Sequence, residues 1–300
     1  MFLSSPDELF PQPKPKRNNY FLRAKKAINK QWKAPENRPP ISHKYYPSEF
    51  SYLCPRERVF QHFDPRPRAT DKPSEAMRSE AGKAMHKYVQ DTFLGPLGLL
   101  KGYWKLSQDC YEDRNPFYGY MPDEPCRFEE EKISNHKLLD DFPAYTNGKI
   151  DGKIGKERYD WLLDGMKGDP PEDGDIDYIW DFKFTSDRNY SSIKEAADLK
   201  DYYLLQQEVY QEMYQCPMSI FMFVNFSTWE YKFFEYESEG KLFQESLKTI
   251  REIEEGMALT VLPDTFACSD SDCSRAKSCP FKEDCFCGKS LAEILDENTT

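Results

Sequence analysis

The stretch Asp177-Tyr178-Ile179-Trp180-Asp181-Phe182-Lys183-Phe184-Thr185 decides how the rest of the chain is read. Successive side chains of a strand point to opposite faces. Tyr178, Trp180, Phe182 and Phe184 therefore share one apolar face. Asp177, Ile179, Asp181 and Lys183 share the other. A carboxylate and an ammonium two residues apart on one strand face can serve a metal and a nucleophilic water together. The simpler reading of the pair is a surface ion pair.

Working upstream, Gly148–Ile154 reads as a strand and Glu157–Leu163 as another, followed by an acidic Gly/Pro-rich loop over 164–175. In Gly148-Lys149-Ile150-Asp151-Gly152 the flanking glycines allow close backbone approach around Asp151. A neighbouring strand would bring Asp151 beside Asp181. Two converging carboxylates repel unless a cation lies between them. Otherwise Asp151 is a turn residue. Earlier still, a helix is expected over 75–93 with Ser74 as cap and an apolar line through Met77, Ala81, Met85, Val89 and Phe93. Gly82-Lys83-Ala84-Met85-His86 places His86 beside that line, as a packed histidine or a third metal ligand. Residues 48–60 read as a helix capped by Ser48, and 94–145 as an insertion.

Downstream, a helix is expected over about 192–215. It carries Gln206-Gln207-Glu208-Val209-Tyr210, where Gln206 and Tyr210 share a face at i, i+4. Ser219–Phe226 and Trp229–Tyr236 read as a hairpin turning near Ser227-Thr228. A helix over about 239–257 leads into a cysteine-rich end. The order of helices and strands predicts an α/β protein with a mixed central sheet flanked by helices.

Composition limits the function classes. Of 300 residues 41 are Lys or Arg and 52 Asp or Glu, for a net charge of −11. The charge is uneven. Residues 11–40 hold nine Lys/Arg against Glu36 alone. Residues 1–40 thus form a basic, Pro-rich arm, lying on the body or reaching for phosphates. No apolar run approaches the roughly 20 residues of a membrane span, and the first residues lack an apolar signal core. A cytoplasmic protein is expected. No phosphate loop of the form G-x-x-x-x-G-K-[ST] occurs, so no helicase module is expected.

Taken in order, four motifs resemble the RecB-type branch of the PD-(D/E)xK nuclease superfamily. They are Gly82/His86, Gly148/Asp151, Asp181/Lys183 and Gln206/Tyr210, and the likeness spans residues 48–287. The resemblance implies a restriction-endonuclease-like core. It implies one or two Mg²⁺ or Mn²⁺ ions on His86, Asp151, Asp181 and the Phe182 carbonyl, with Lys183, Gln206 and Tyr210 completing the catalytic group. The activity implied is a metal-dependent DNA exonuclease acting on single strands or free ends, in recombination, repair or replication, and leaving 5′-phosphates. Recombination or replication proteins would be its partners, and phages or mobile elements a source. A structure-selective endonuclease and a non-catalytic DNA- or protein-binding module are the alternatives. On this reading the nuclease domain covers 41–290, and 291–300 is a tail.

Nine cysteines in a reducing compartment ask for a role other than disulfides. Ser48-Glu49-Phe50-Ser51-Tyr52-Leu53-Cys54-Pro55-Arg56 and Cys279-x5-Cys285 resemble the iron–sulfur members of that branch. There one early and three late cysteines hold a [4Fe-4S] cluster tying the ends of the domain. The resemblance implies Cys54, Cys273, Cys279 and Cys285, with Cys268 and Cys287 as alternates. The usual cysteine three residues before Cys279 is replaced by Ala276. Thiolates suit zinc equally, so a zinc knuckle of Cys268, Cys273, Cys279 and Cys285 is the alternative. A cluster joining Cys54 to the late cysteines closes a loop of more than 200 residues, and loop-closure arithmetic makes that worth several kcal/mol.

Overall fold

The structure is a computed structural model that describes residues 43–66, 73–95, 99–100, 103–104, 128–129, 132–172, 174, 177–265 and 267–299. The expected basic arm, most of the expected insertion, and Cys110 and Cys126 lie outside these residues. The chain begins with β1 (Lys44–Tyr45), a 3₁₀ turn (Pro47–Tyr52), α1 (Pro55–Phe63) and α2 (Pro73–Val89), which ends in a π-turn (Gln90–Leu94). Short strands β2 (Tyr103–Trp104) and β3 (Phe128–Glu129) pair with each other. Then come β4 (Lys132–Lys137), β5 (Tyr145–Lys149), β6 (Gly152–Gly155), α3 (Lys156–Leu163) and β7 (Asp177–Thr185). The remainder is α4 (Asp187–Ser192), α5 (Asp201–Tyr214), β8 (Met218–Asn225), β9 (Tyr231–Glu237), α6 (Lys241–Leu259), α7 (Lys282–Phe286) and α8 (Leu291–Thr299).

Two mixed sheets result, so the α/β expectation holds with two sheets where one was expected. In the first, β5 lies between parallel β1 and antiparallel β4. In the second the order is β6-β7-β8-β9, with only the β7–β8 pair parallel. The expected single strand over 148–154 is two strands, one in each sheet. The chain changes sheets through Ile150 and Asp151. Gly148, in β5, packs closely on α5: a Cβ there would lie 2.6 Å from Met213 Cε, so a larger residue would displace the end of that side chain.

β7 follows its alternating pattern. Tyr178, Trp180 and Phe182 enter a core with Ile154, Tyr159, Trp161 and Val89. On the opposite face Ile179 joins Leu205, Val209, Tyr210 and Met213 of α5, together with α1 and α6 side chains. Helices thus cover both faces of the second sheet. The interior is rich in aromatic rings, in line with the sequence; Tyr159 and Phe233 both pack edge-on to Trp180.

Several local expectations are corrected. Glu157–Leu163 belongs to α3, not a strand. The burial of Tyr159 and Trp161, two apart, mimics strand alternation, while Lys156 and Asp160 form the i, i+4 ion pair of a helix. The expected helix over 48–60 breaks before Pro55. Proline disfavours helical geometry in the preceding residue, and Cys54 is extended, at φ −117°. The helix expected from 192 starts at Asp201. On α2, Met77 and Ala81 are exposed, and among the helix residues whose burial is described Val89 alone is buried. The last residues form α8, and Leu291 and Ile294 enter the core beside α6. No helix among the described residues is long and apolar enough to cross a membrane.

Candidate active site

β6 pairs with β7 only as far as Gly152 opposite Trp180. Beyond that point the edge of β7 is met by a side chain. Asp151 Oδ2 accepts the Phe182 N–H at 2.8 Å. A strand residue directs its N–H and C=O to the same edge, so the Phe182 carbonyl leaves toward the Asp151 side. Asp151 Oδ1 lies 3.0 Å from His86 Nδ1, on the last turn of α2. Gln90 is buried one turn later, and its Nε2 donates to the Asp151 carbonyl at 2.6 Å. Phe182 and Phe184 pack against the His86 ring.

One residue along β7, Asp181 is buried on the face toward α5. Lys183 Nζ donates to its Oδ1 at 3.0 Å and stands 2.8 Å from Oδ2. The second approach lacks hydrogen-bond direction, so Oδ2 is a buried oxygen with no hydrogen-bond partner among the described residues. Lys183 also donates to Gln206 Oε1 at 3.1 Å, and Gln206 Nε2 donates to the Tyr210 hydroxyl at 3.1 Å. The i, i+4 pair on α5 thus forms one chain with the lysine. The Tyr203 ring centroid lies 5.2 Å from the Lys183 nitrogen.

The charges act on one another. Burial pushes the Asp181 carboxyl up to about 6, against the pull of Lys183; the Asp151 charge adds to the push and His86 to the pull. Burial works against a charged His86, but the Asp151 hydrogen bond and the charges of Asp151 and Asp181 hold the imidazole above its usual range. Burial also raises Tyr210, so the hydroxyl that accepts from Gln206 stays neutral.

All six side chains singled out by spacing are therefore tied into two adjoining groups, His86–Asp151 and Asp181–Lys183–Gln206–Tyr210. Gln90 and Tyr203 were missed. Gln90 stands at i+4 from His86, a signal that was available. Tyr203, at i−3 from Gln206, could be chosen only once Lys183 was seen to lie over it. As they stand, no three His, Cys, Asp or Glu side chains among the described residues are grouped as a metal site. Each carboxylate is turned to a cation of the protein itself. The donor set of one imidazole, two carboxylates and a carbonyl fits a divalent ion that accepts both oxygen and imidazole ligands.

The cysteines lie elsewhere. Cys54, Cys268, Cys279 and Cys285 line one small cavity between the start of α1 and the C-terminal segment. Phe60 stacks on Phe281 at 5.2 Å beside it, and Arg56 donates to the carbonyls of Pro263 and Cys285. Cys273 does not line the cavity. It is hydrogen-bonded to Cys268, and its sulfur accepts the Ala276 N–H at 3.3 Å. Cys287 is exposed and donates to the Asp284 carbonyl. Burial pushes Cys268 up to about 12 and Cys279 up to about 11, whereas the Ala276 N–H draws Cys273 down.

No family model matches the chain. No curated protein matches it either. Among solved structures, one described as the crystal structure of SSO0001 aligns over 93% of this chain and 98% of its own, with 10% identity and a TM-score of 0.37.

Proposed function

We propose that this chain is a metal-dependent nuclease with a PD-(D/E)xK-type core, cutting phosphodiester bonds of DNA from single-stranded or free ends. One observation carries the reading. Residues from α2, the β5–β6 crossing, β7 and α5 meet at the edge of β7, with His86 and Phe182 on Asp151 and Lys183 on Asp181.

His86, Asp151, Asp181 and the Phe182 carbonyl would hold Mg²⁺ or Mn²⁺. Such an ion supplies an acidified water and neutralises charge on the scissile phosphate. The protein's own groups do the rest. Lys183, fixed between Asp181 and Gln206, orients the attacking water and offers its ammonium to the developing oxyanion. Tyr210 fixes the Gln206 amide so that its oxygen faces the lysine. Gln90 pins the Asp151 backbone, keeping its carboxylate turned toward Phe182 and His86.

Cys54, Cys268, Cys279 and Cys285 would hold a [4Fe-4S] cluster, with zinc as the alternative. Burial raises the Cys268, Cys279 and Cys285 thiols, and a bound metal would deprotonate its thiol ligands. Joining Cys54 to the C-terminal segment, the group would staple α1 to the end of the chain.

The test uses end-labelled linear strands and circular single strands with Mg²⁺, Mn²⁺ or chelator. Metal-dependent loss of linear strands with circles spared is expected. Cutting of circles replaces the exonuclease with an endonuclease, and the absence of cutting under every condition overturns the enzyme.

A further inference from the structure

An aromatic path runs from the surface to the Lys183 ammonium. Tyr52, at the end of the 3₁₀ turn, is 56% exposed. Its ring centroid lies 6.0 Å from that of Tyr202, at an interplanar angle of 38°. Tyr202 lies 4.1 Å from Tyr203, and the Tyr203 ring centroid is 5.2 Å from Lys183 Nζ. The cation Lys200 stands 5.7 Å from the Tyr202 ring. Tyr202 and Tyr203 are both partly exposed.

We propose that Tyr52, Tyr202 and Tyr203 form a stacking track for the unpaired bases of a nucleic-acid strand whose phosphate reaches Lys183. The inference rests on the nuclease reading above and names the substrate form that its site would take. Three features select this occupant. A core needs no ring with more than half its surface in water, but a nucleobase stacks on one readily. Every base has a π-face, so such a track accepts any sequence. Lys183 and Lys200 supply positive charge at the inner end and alongside, where a phosphate backbone would run. The track is continuous with the candidate site, so a stacked strand is led toward the Asp181–Lys183 pair. A duplex keeps its bases stacked on each other and offers the rings only its end.

The experiment measures binding, in chelator, of a short single-stranded DNA carrying 2-aminopurine, by fluorescence and by anisotropy. Tyr52→Ala and Tyr202→Ala should each weaken binding about tenfold and release the quenching of the probe. Tyr202→Trp should keep both. The dependence of affinity on salt should be unchanged in the tyrosine variants, because no phosphate contact is lost, whereas Lys200→Ala should flatten it by about 0.7 in log–log slope. Tyr231→Ala, an exposed tyrosine on β9, controls for the loss of any surface ring. Tyr52→Ala and Tyr202→Ala proteins that bind and quench within twofold of the parent overturn the track, as does a parent that binds no single strand. Tyrosine-dependent binding by a parent that never cuts DNA leaves the track standing and removes the nuclease reading alone.

Discussion

Asp151 takes the place of a strand residue for Phe182: its carboxylate accepts the Phe182 N–H at 2.8 Å where β6 has already ended. The same carboxylate holds His86 at 3.0 Å. One side chain thus closes the edge of the second sheet and anchors the last turn of α2. Structure and candidate chemistry depend here on the same two oxygens.

This double duty separates two substitutions. Asp151→Ala leaves the Phe182 N–H without its acceptor and should cost about 1–3 kcal/mol. Asp151→Asn keeps an oxygen for that N–H and should lose less than half as much. Both should abolish metal-dependent cutting. Urea unfolding of the two variants, beside the cleavage assay, checks the pattern. Equal stability of the two variants would mean that the Phe182 bond contributes nothing.

Asp181 makes the opposite prediction. Its folded pKa, about 6, stands above the ordinary carboxyl value of 3.8. A raised acid penalises the folded state once the group must ionise, so the penalty is full above pH 6 and fades as pH falls through 6 toward the unfolded value. Asp181→Asn should therefore raise the melting temperature of the metal-free protein at about pH 8 and give almost no gain at about pH 4. Gln206 still accepts from Lys183 in that variant. A melting temperature that falls at the higher pH would show the Lys183 pair to be net stabilising.

The parts of this site that could be read in the sequence are those whose chemistry is local. The alternation of aromatic residues fixes β7, and spacing of two on a strand or four on a helix fixes which side chains share a face. Asp181 with Lys183 and Gln206 with Tyr210 follow from that alone. What spacing cannot show is where the chain turns. Gly148–Ile154 looks continuous, yet the sheets change at Asp151, and that turn is what frees its carboxylate for Phe182. Residues 157–163 alternate like a strand because Tyr159 and Trp161 are buried, a tertiary effect that overrides periodicity. The apolar line on α2 fails for the same reason: His86 packs on β7 and Val89 is buried, while Met77 stays in solvent.

Lys183 and Tyr210 should differ in degree. Lys183→Ala removes the ammonium paired with Asp181 and should slow cutting by at least about 100-fold, the usual size of a lost oxyanion-stabilising donor. Tyr210→Phe removes only the hydroxyl that orients Gln206 and should cost about tenfold, roughly 1.4 kcal/mol. Single-turnover rates at saturating metal measure both. A Lys183→Ala protein with the parental rate removes lysine from the mechanism.

The cysteine cavity predicts a difference between neighbours that the spacing left open. Cys268 lines the cavity with Cys54, Cys279 and Cys285, while Cys273 stands behind it as a hydrogen-bonding partner. Cys54→Ala and Cys268→Ala should lose bound metal and visible absorbance after anaerobic purification; Cys273→Ala should keep them. Loss of the group should also lower stability by several kcal/mol, because Cys54 no longer closes the long loop to the C-terminal segment. Iron and sulfide analysis separates the cluster from zinc, which is colourless with the same four ligands. Retention of metal by Cys268→Ala together with its loss in Cys273→Ala would exchange the two roles, and would require the 268–273 turn to rearrange on binding.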